Sequence, residues 1–223
     1  MKIKHLKYIL FLILCFCLFT LGCRNVNETQ VQFEYPSSVE VKDGMYTINN
    51  DLDSMTLTKT EYLSSPNGEL VIDPNYYQTH ELKRGDVIYY KTPANFLNEF
   101  SSINYPQKNI ARIVGLPNEK FAIGKGQIYI HNKKLEAFYG KALTAGLYKK
   151  EFLKMIKTAP GKCEVDCLYS YKQTFDLDLE EFLIPNDDVF IIGDNWSRSL
   201  DSRLFGSLPV DHILGKVMGY KKT

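Results

Sequence analysis

The chain has 223 residues, of which 44% are hydrophobic and 13% aromatic, and its formal net charge is +1. This length suits one domain with a short leader, and the apolar content is enough to fill a core. The near-neutral charge argues against a nucleic-acid partner. The four histidines are scattered without metal-ligand spacing, so we expect neither a metal nor another cofactor.

The N-terminal segment, 1–23, has the pattern of an export signal. Lys2, Lys4 and Lys7 precede a mainly apolar stretch of 15 residues, which is short for a spanning helix, since that needs about 20. The step from Gly22 to Cys23 resembles the end of a bacterial lipoprotein signal, in which the cysteine is lipidated. We predict lipidation of Cys23, and the alternative is an uncleaved anchor. Either way, the body is expected outside the cytoplasmic membrane and attached to its outer face.

Residues 24–38 are polar and predict a tether. From residue 39 onward apolar and polar side chains alternate, which predicts a mainly β domain over 39–223. The residues from 124 to 126 carry a hairpin signal. Short strands separated by turn residues are predicted over 39–48, 55–63, 69–73, 86–93, 110–116, 127–135, 189–192 and 212–220.

The region of about 140–175 breaks this alternation and predicts an insertion. Apolar residues in 141–157 lie near helical spacing, so a helix is expected there. Its lysines are typical of a solvated helix face, although they could also face anionic lipid. Cys163 and Cys167 lie outside the leader, and in an extracytoplasmic compartment they are expected to form a local disulfide. Two free thiols are the alternative.

A polar stretch follows the predicted strand at 189–192. Asp and Asn residues often cap such turns, and an Asp–Arg pair can form a bidentate bond that fixes neighbouring strands. The stretch resembles the signature of bacterial type I signal peptidases, GDNxxxSxDSRxxG. The signature is matched by Gly193, Asp194, Asn195, Ser199, Asp201, Ser202, Arg203 and Gly206.

Further blocks of that family occur in the expected order. Residues 84–86 resemble its Arg-Gly-Asp segment, and 111–120 resemble the block around Arg112. The resemblance spans about 55–219 and implies an antiparallel β-sheet fold, here with a small helical insertion. It also implies a serine endopeptidase that cleaves signal peptides from secreted precursors. Arg112 and the signature residues would then be structural parts of the site, with Ser199 in a supporting role.

The family uses a serine nucleophile and a neutral lysine base, and the lysine precedes the arginine of the 111–120 block. In this chain that position is Ala111, and a methyl group cannot accept a proton. Lys108 is three residues upstream, on the opposite face of a strand with period two. Lys83 belongs to an unrelated block. We therefore interpret the general base as lost.

The position of the nucleophile is less defined by the sequence. The family pattern is SMxPTL, and Ser54-Met55 keeps its serine and methionine, but Leu57 stands where proline belongs. A second register starts at Gly44. A third register, counted back from the strand at 69–73, places the nucleophile near Lys59 or Thr60. Ser54 is the candidate that keeps a serine.

These observations support three hypotheses. The first is a signal-peptidase-like protein that is catalytically impaired and binds extended signal-like peptides or precursor proteins. The second is an active endopeptidase with a shifted dyad. The third is a protein that binds a true signal peptidase as its partner.

Overall fold

The structure is a computed structural model that describes residues 37–56, 68–99, 101–103, 105–158 and 165–222. The predicted leader, Cys23 and Cys163 lie outside these ranges, as does the side chain of Cys167, so the predicted lipidation and disulfide stay predictions. Within the described ranges no helix is long and apolar enough to cross a membrane.

The described residues confirm the predicted mainly antiparallel β fold. The strands are β1 (Ser38–Val39), β2 (Tyr46–Ile48), β3 (Leu70–Asp73), β4 (Val87–Lys91), β5 (Lys108–Gly115), β6 (Lys120–Gly124), β7 (Gln127–Ile130), β8 (Lys133–Lys134), β9 (Leu179–Leu183), β10 (Asp188–Ile192), β11 (Leu208–Pro209) and β12 (Ile213–Lys221). The α-helices are α1 (Tyr76–Thr79), α2 (Ala94–Glu99), α3 (Lys149–Thr158), α4 (Val165–Phe175) and α5 (Ser202–Phe205).

The strands form two sheets. The larger has the order β11-β10-β5-β4-β12-β3-β2, and β1 joins it by parallel pairing with β12. The smaller has the order β8-β7-β6-β9. The predicted hairpin at 124–126 is present as the β6–β7 turn, in which Lys125 and Gly126 both have positive φ. Two such residues are what a two-residue hairpin turn of type I′ requires.

The long strand β12 pairs with both β4 and β3, and it bends at two glycines to do so. The register shifts between Ile213 and Gly215, and again between Val217 and Gly219. Both glycines have positive φ, and a Cβ at Gly219 would lie 2.1 Å from the carbonyl oxygen of Ser37. These bulges let one strand follow the curvature of the sheet.

Strand β5 is covered on both faces, which explains its nearly continuous apolar sequence. Val114 contributes to a core shared with the smaller sheet and the helices α3 and α4. Ala111 and Ile113 point to the other face, where they pack against a second core that includes Ile88 and Ile191. Residues next to each other on β5 therefore reach opposite sides of the sheet.

The predicted helix over 141–157 is shorter in the structure, because α3 begins only at Lys149. Residues 144 and 147 instead form an isolated antiparallel bridge, with Ala145 and Gly146 at positive φ between them. Lys141 was expected in the helix, but it bridges to Gln127 of β7. A tight turn with two left-handed residues cannot continue a helix.

Candidate active site

The signature stretch folds as a buried turn at the end of β10. Gly193, Asp194 and Asn195 are all buried, and the short 3₁₀ helix Trp196–Arg198 follows. A Cβ at Gly193 would lie 2.2 Å from Ser199 Oγ and 2.7 Å from the carbonyl oxygen of Ser54. Because those contacts leave no room for a side chain, only glycine fits this position without movement of its neighbours.

An internal ion pair holds the second half of the signature. Arg203 Nε donates to Asp201 Oδ1 at 2.8 Å, and its Nη2 donates to the carbonyl oxygens of Trp196 and Ser199. The Arg203 guanidinium also lies 4.8 Å from the Trp196 ring centroid. Asp201 Oδ2 accepts the Gly193 N–H at 3.0 Å, so this carboxylate ties the two halves of the signature together.

A second ion pair joins the turn to β5. Arg112 donates to both carboxylate oxygens of Asp194, at 2.8 Å and 2.6 Å, and to the carbonyl oxygen of Gly85 at 2.7 Å. The rings of Phe138 and Tyr139 lie 4.9 Å and 5.1 Å from the guanidinium carbon. This bidentate, ring-covered pair is the arrangement that favours arginine over lysine.

The segment 53–55 lies against the turn. The Asn195 N–H donates to the Ser54 carbonyl oxygen at 2.9 Å, and the Asp194 N–H contacts Met55 Sδ at 3.4 Å. Arg198 Nε donates to Asp53 Oδ2 at 2.7 Å. The Ser54 side chain is buried, and its hydroxyl has no hydrogen-bond partner among the described residues.

This contact bears on two of the three predicted registers for the nucleophile, those of Ser54 and Gly44. The structure places Ser54, rather than Gly44, beside the signature turn, because Gly44 lies in the turn before β2 with Asn75 as its near neighbour. Lys59 and Thr60 lie outside the described residues. Ser54 and Ser199 are therefore brought together around Gly193.

Comparison with known proteins identifies the family of the chain. The family model described as "Signal peptidase, peptidase S26" matches residues 52–220. The chain belongs to the signal peptidase S26 family.

Individual signal peptidases share a modest sequence identity with this chain. A probable signal peptidase I-2 from Synechocystis is 24% identical over 150 residues, covering 67% of this chain and 53% of that protein. Signal peptidase I from Rickettsia typhi is 30% identical over 61% of this chain and 50% of its own length. The chain thus spans about half the length of these curated relatives. A crystal structure of signal peptidase I from Enterococcus faecalis covers 62% of this chain and 97% of its own, with 22% identity and a TM-score of 0.41.

Ala111, where the lysine base is expected, lies on the strand next to the signature turn. Ile192 of β10 pairs with Arg112 of β5, so the next residues along the two strands are Gly193 and Ala111. Ala111 is buried among apolar side chains of the second core, including Ile88 and Ile113. Lys108 is exposed at the start of β5, and Lys83 is exposed as well.

Two tyrosines and one asparagine lie near the signature, and none of them was predicted as part of the site. Tyr90 pairs with Asn109 across β4 and β5, and the Tyr105 hydroxyl donates to the Leu200 carbonyl oxygen at 2.9 Å. Burial raises the pKa of Tyr105 to about 12, and the nearby Asp201 carboxylate adds to that rise. Burial also raises the pKa of Tyr90 well above its usual value. These phenols stay protonated at neutral pH, so they cannot act as bases there.

Sequence reasoning also missed the contacts that hold segment 53–55. The Asp53–Arg198 pair joins residues that are 145 positions apart, and Arg198 occupies a variable position of the signature. Likewise, the Leu143 carbonyl oxygen accepts the Trp196 N–H at 2.9 Å, which attaches the insertion to the turn. No local pattern marks such long-range pairs.

Proposed function

We propose that this chain is a catalytically impaired signal peptidase homologue that binds extended, signal-like peptides without cleaving them. The observation that carries the proposal is Ala111, which occupies the position where the family carries its lysine base. The Ser54 hydroxyl is buried and has no hydrogen-bond partner among the described residues.

The chemistry explains why one missing side chain has a large effect. A serine hydroxyl is a weak nucleophile until a base within hydrogen-bond reach takes its proton. Removing one member of a nucleophile–base unit typically lowers the rate by a factor on the order of 10⁴ to 10⁶. The ion pairs of Arg112 and Arg203 maintain the fold around the site, but neither guanidinium can act as a base, since arginine remains protonated.

Peptide binding does not need the missing base. A peptide that adds as a strand to a sheet is held by main-chain hydrogen bonds, and its side chains fit pockets on alternate sides. The retained turn and sheet supply such a scaffold. The predicted leader would attach the protein to the outer face of the cytoplasmic membrane, through a lipidated Cys23 or an uncleaved anchor, where signal-like segments emerge.

One observation favours an active signal-peptidase-type serine endopeptidase as a second candidate function. The backbone of Ser54 lies against the signature turn, because a Cβ at Gly193 would meet both the Ser54 carbonyl oxygen and Ser199 Oγ. A base supplied from outside the described ranges would complete the pair. The experiment that tests the first proposal therefore also tests this one.

The experiment is cleavage of a model precursor by the full-length protein in detergent or lipid, with four variants beside the wild type. Ala111→Lys restores an amine at the base position. The apolar neighbours of residue 111 should lower the pKa of that lysine, which is what a general base requires. Ala111→Met is the matched control, because it adds a chain of similar length without an amine. Ser54→Ala and the double variant Ala111→Lys/Ser54→Ala identify the nucleophile.

We expect the wild type and Ala111→Met to leave the precursor intact and Ala111→Lys to cleave it, with the double variant inactive. Binding of a fluorescent signal-like peptide should be the same for the wild type and Ser54→Ala. Cleavage by the wild type that Ser54→Ala abolishes would overturn the proposal in favour of the active enzyme. Absence of peptide binding by every variant would refute the binding role.

A further inference from the structure

A basic pocket lies on the smaller sheet, on elements separate from the signature turn. Its volume is about 450 Å³. We call it the basic pocket. It is lined by Gly124, Lys125, Gln127, Tyr129, Lys134, Lys141 and Asp178.

Strand register explains why two of its lysines lie side by side. Lys134 of β8 pairs with Tyr129 of β7, and Lys141 bridges to Gln127 of the same strand. Residues paired across strands point to the same face, and Gln127 and Tyr129 are two positions apart. The two lysines are thus neighbours on one face, with backbones roughly 7 Å apart. Lys125 is added by the β6–β7 turn, where its positive φ places it at the tip.

The charges around the basic pocket are not balanced. Among the described residues, none of the three pocket lysines has an ion pair, whereas the nearby Lys149 is paired with Asp176. The one acidic residue of the lining, Asp178, accepts the backbone N–H of Lys125 at 2.7 Å. Three ammonium groups against one carboxylate leave an excess positive charge in a concave site, which attracts anions.

Another cavity in the described residues has a different lining. That cavity, of about 220 Å³, is lined by Pro74, Tyr77, Gln78, Leu82, Val210, Ile213 and Gly215, and it contains no lysine or arginine. Lysines on α3, such as Lys150 and Lys154, are exposed on a helix and line neither described cavity. Of these two cavities, the basic pocket alone is lined by lysines, and none of those lysines has an ion pair among the described residues.

We propose that the basic pocket binds a phosphate-bearing anion through Lys125, Lys134 and Lys141. Lysine ammonium groups form charge-assisted hydrogen bonds with phosphate oxygens. Two sources share this chemistry. A free phosphate compound can enter from solution. A phospholipid headgroup is the other source, since the predicted anchor would hold the protein at a membrane surface. This inference does not depend on the state of Ala111.

The test measures the acetylation rate of each lysine by mass spectrometry on the full-length protein in lipid nanodiscs. Three conditions are compared: neutral nanodiscs in chloride, neutral nanodiscs with inorganic phosphate at equal ionic strength, and nanodiscs containing phosphatidylglycerol. Lys150, Lys154 and Lys157 of α3 serve as internal controls, because they are exposed lysines outside the pocket. A bound anion slows reaction of the pocket lysines by a factor of 1 + [L]/Kd, which is about elevenfold at ten times Kd.

Protection of Lys125, Lys134 and Lys141 by inorganic phosphate supports the proposal with a soluble ligand, and protection by phosphatidylglycerol alone supports it with a lipid headgroup. Equal protection of the α3 lysines, or no protection in either condition, would overturn it. Inorganic phosphate should also raise the thermal unfolding temperature of the wild type, and a variant with the three pocket lysines changed to glutamine should lose that shift. The variant with Lys150, Lys154 and Lys157 changed to glutamine removes the same charge and should keep that shift.

Discussion

The two sides of the candidate site differ in how their polar groups are satisfied. On the signature side, the carboxylates of Asp194 and Asp201 are each paired with an arginine. On the reacting side, the Ser54 hydroxyl has no partner among the described residues, and Ala111 offers only a methyl group. The paired carboxylates stabilise the fold whether or not the site reacts, so the scaffold and the chemistry can be tested separately.

The largest expected effect comes from breaking the scaffold. Arg112→Met should lower the free energy of unfolding by about 3–5 kcal/mol, because it leaves the Asp194 carboxylate buried without its partner. Arg198→Met is the matched control, since its pair with Asp53 is about half exposed and should contribute under about 1 kcal/mol. Urea unfolding, followed by the fluorescence of the single tryptophan, Trp196, measures the free energy of unfolding of both variants. Equal effects of the two variants would contradict the assigned role of Arg112.

A smaller effect is expected at alkaline pH, from the phenol that donates to the signature. Burial raises the pKa of Tyr105 from 10.0 to about 12, so the folded protein holds this proton more tightly than the unfolded chain. Its contribution to stability is complete below pH 10 and is lost as the pH rises through about 12. The loss amounts to roughly 2–3 kcal/mol. Tyr90 acts in the same direction, because burial raises its pKa as well.

Tyr105→Phe tests this pH dependence. The variant should be less stable than the wild type at neutral pH by about 1 kcal/mol, because it loses the bond to the Leu200 carbonyl oxygen. Above pH 10 its stability should fall less steeply, with the remaining slope due to Tyr90. The measurement is urea unfolding at a series of pH values. An unchanged slope would show that the Tyr105 hydroxyl is not buried against the signature.

The signature could be predicted from the sequence because its residues are close together along the chain. Asp201 and Arg203 form a local pair, and the turn at Gly193 directly follows its strand. The sequence also predicted most strands of the described residues. Their alternation reflects burial of one or both faces of a sheet, which a local pattern records.

The register of Ser54 could not be predicted in the same way. Leu57 replaces the proline of the family pattern, so three alignments competed. A contact between Ser54 and Asn195, far apart in the chain, places Ser54 rather than Gly44 at the signature turn, and the third alignment falls on residues outside the described ranges. The helix starting at 141 was predicted too long, since apolar spacing did not reveal the turn at Ala145 and Gly146. The basic pocket depends on strand register, which no single segment contains.

The smallest expected effect is that of Ser54→Ala, which we compare with the same change at another buried serine, Ser202. Ser202 Oγ accepts the Ile191 N–H at 3.0 Å, so Ser202→Ala leaves a buried donor unsatisfied and should cost about 1–3 kcal/mol. Ser54→Ala removes a buried hydroxyl that has no partner among the described residues, so the free energy of unfolding should stay the same or rise slightly.

Urea unfolding of the two alanine variants, with Ser54→Cys as a size-matched comparison, measures the difference. If Ser54→Ala destabilises the protein as much as Ser202→Ala, the hydroxyl has a hydrogen-bond partner in the folded protein. That partner would belong to residues outside the described ranges, and it would be the first candidate for a relocated base. The polar groups on both sides of the site would then have hydrogen-bond partners, and the active-enzyme hypothesis would gain a candidate general base.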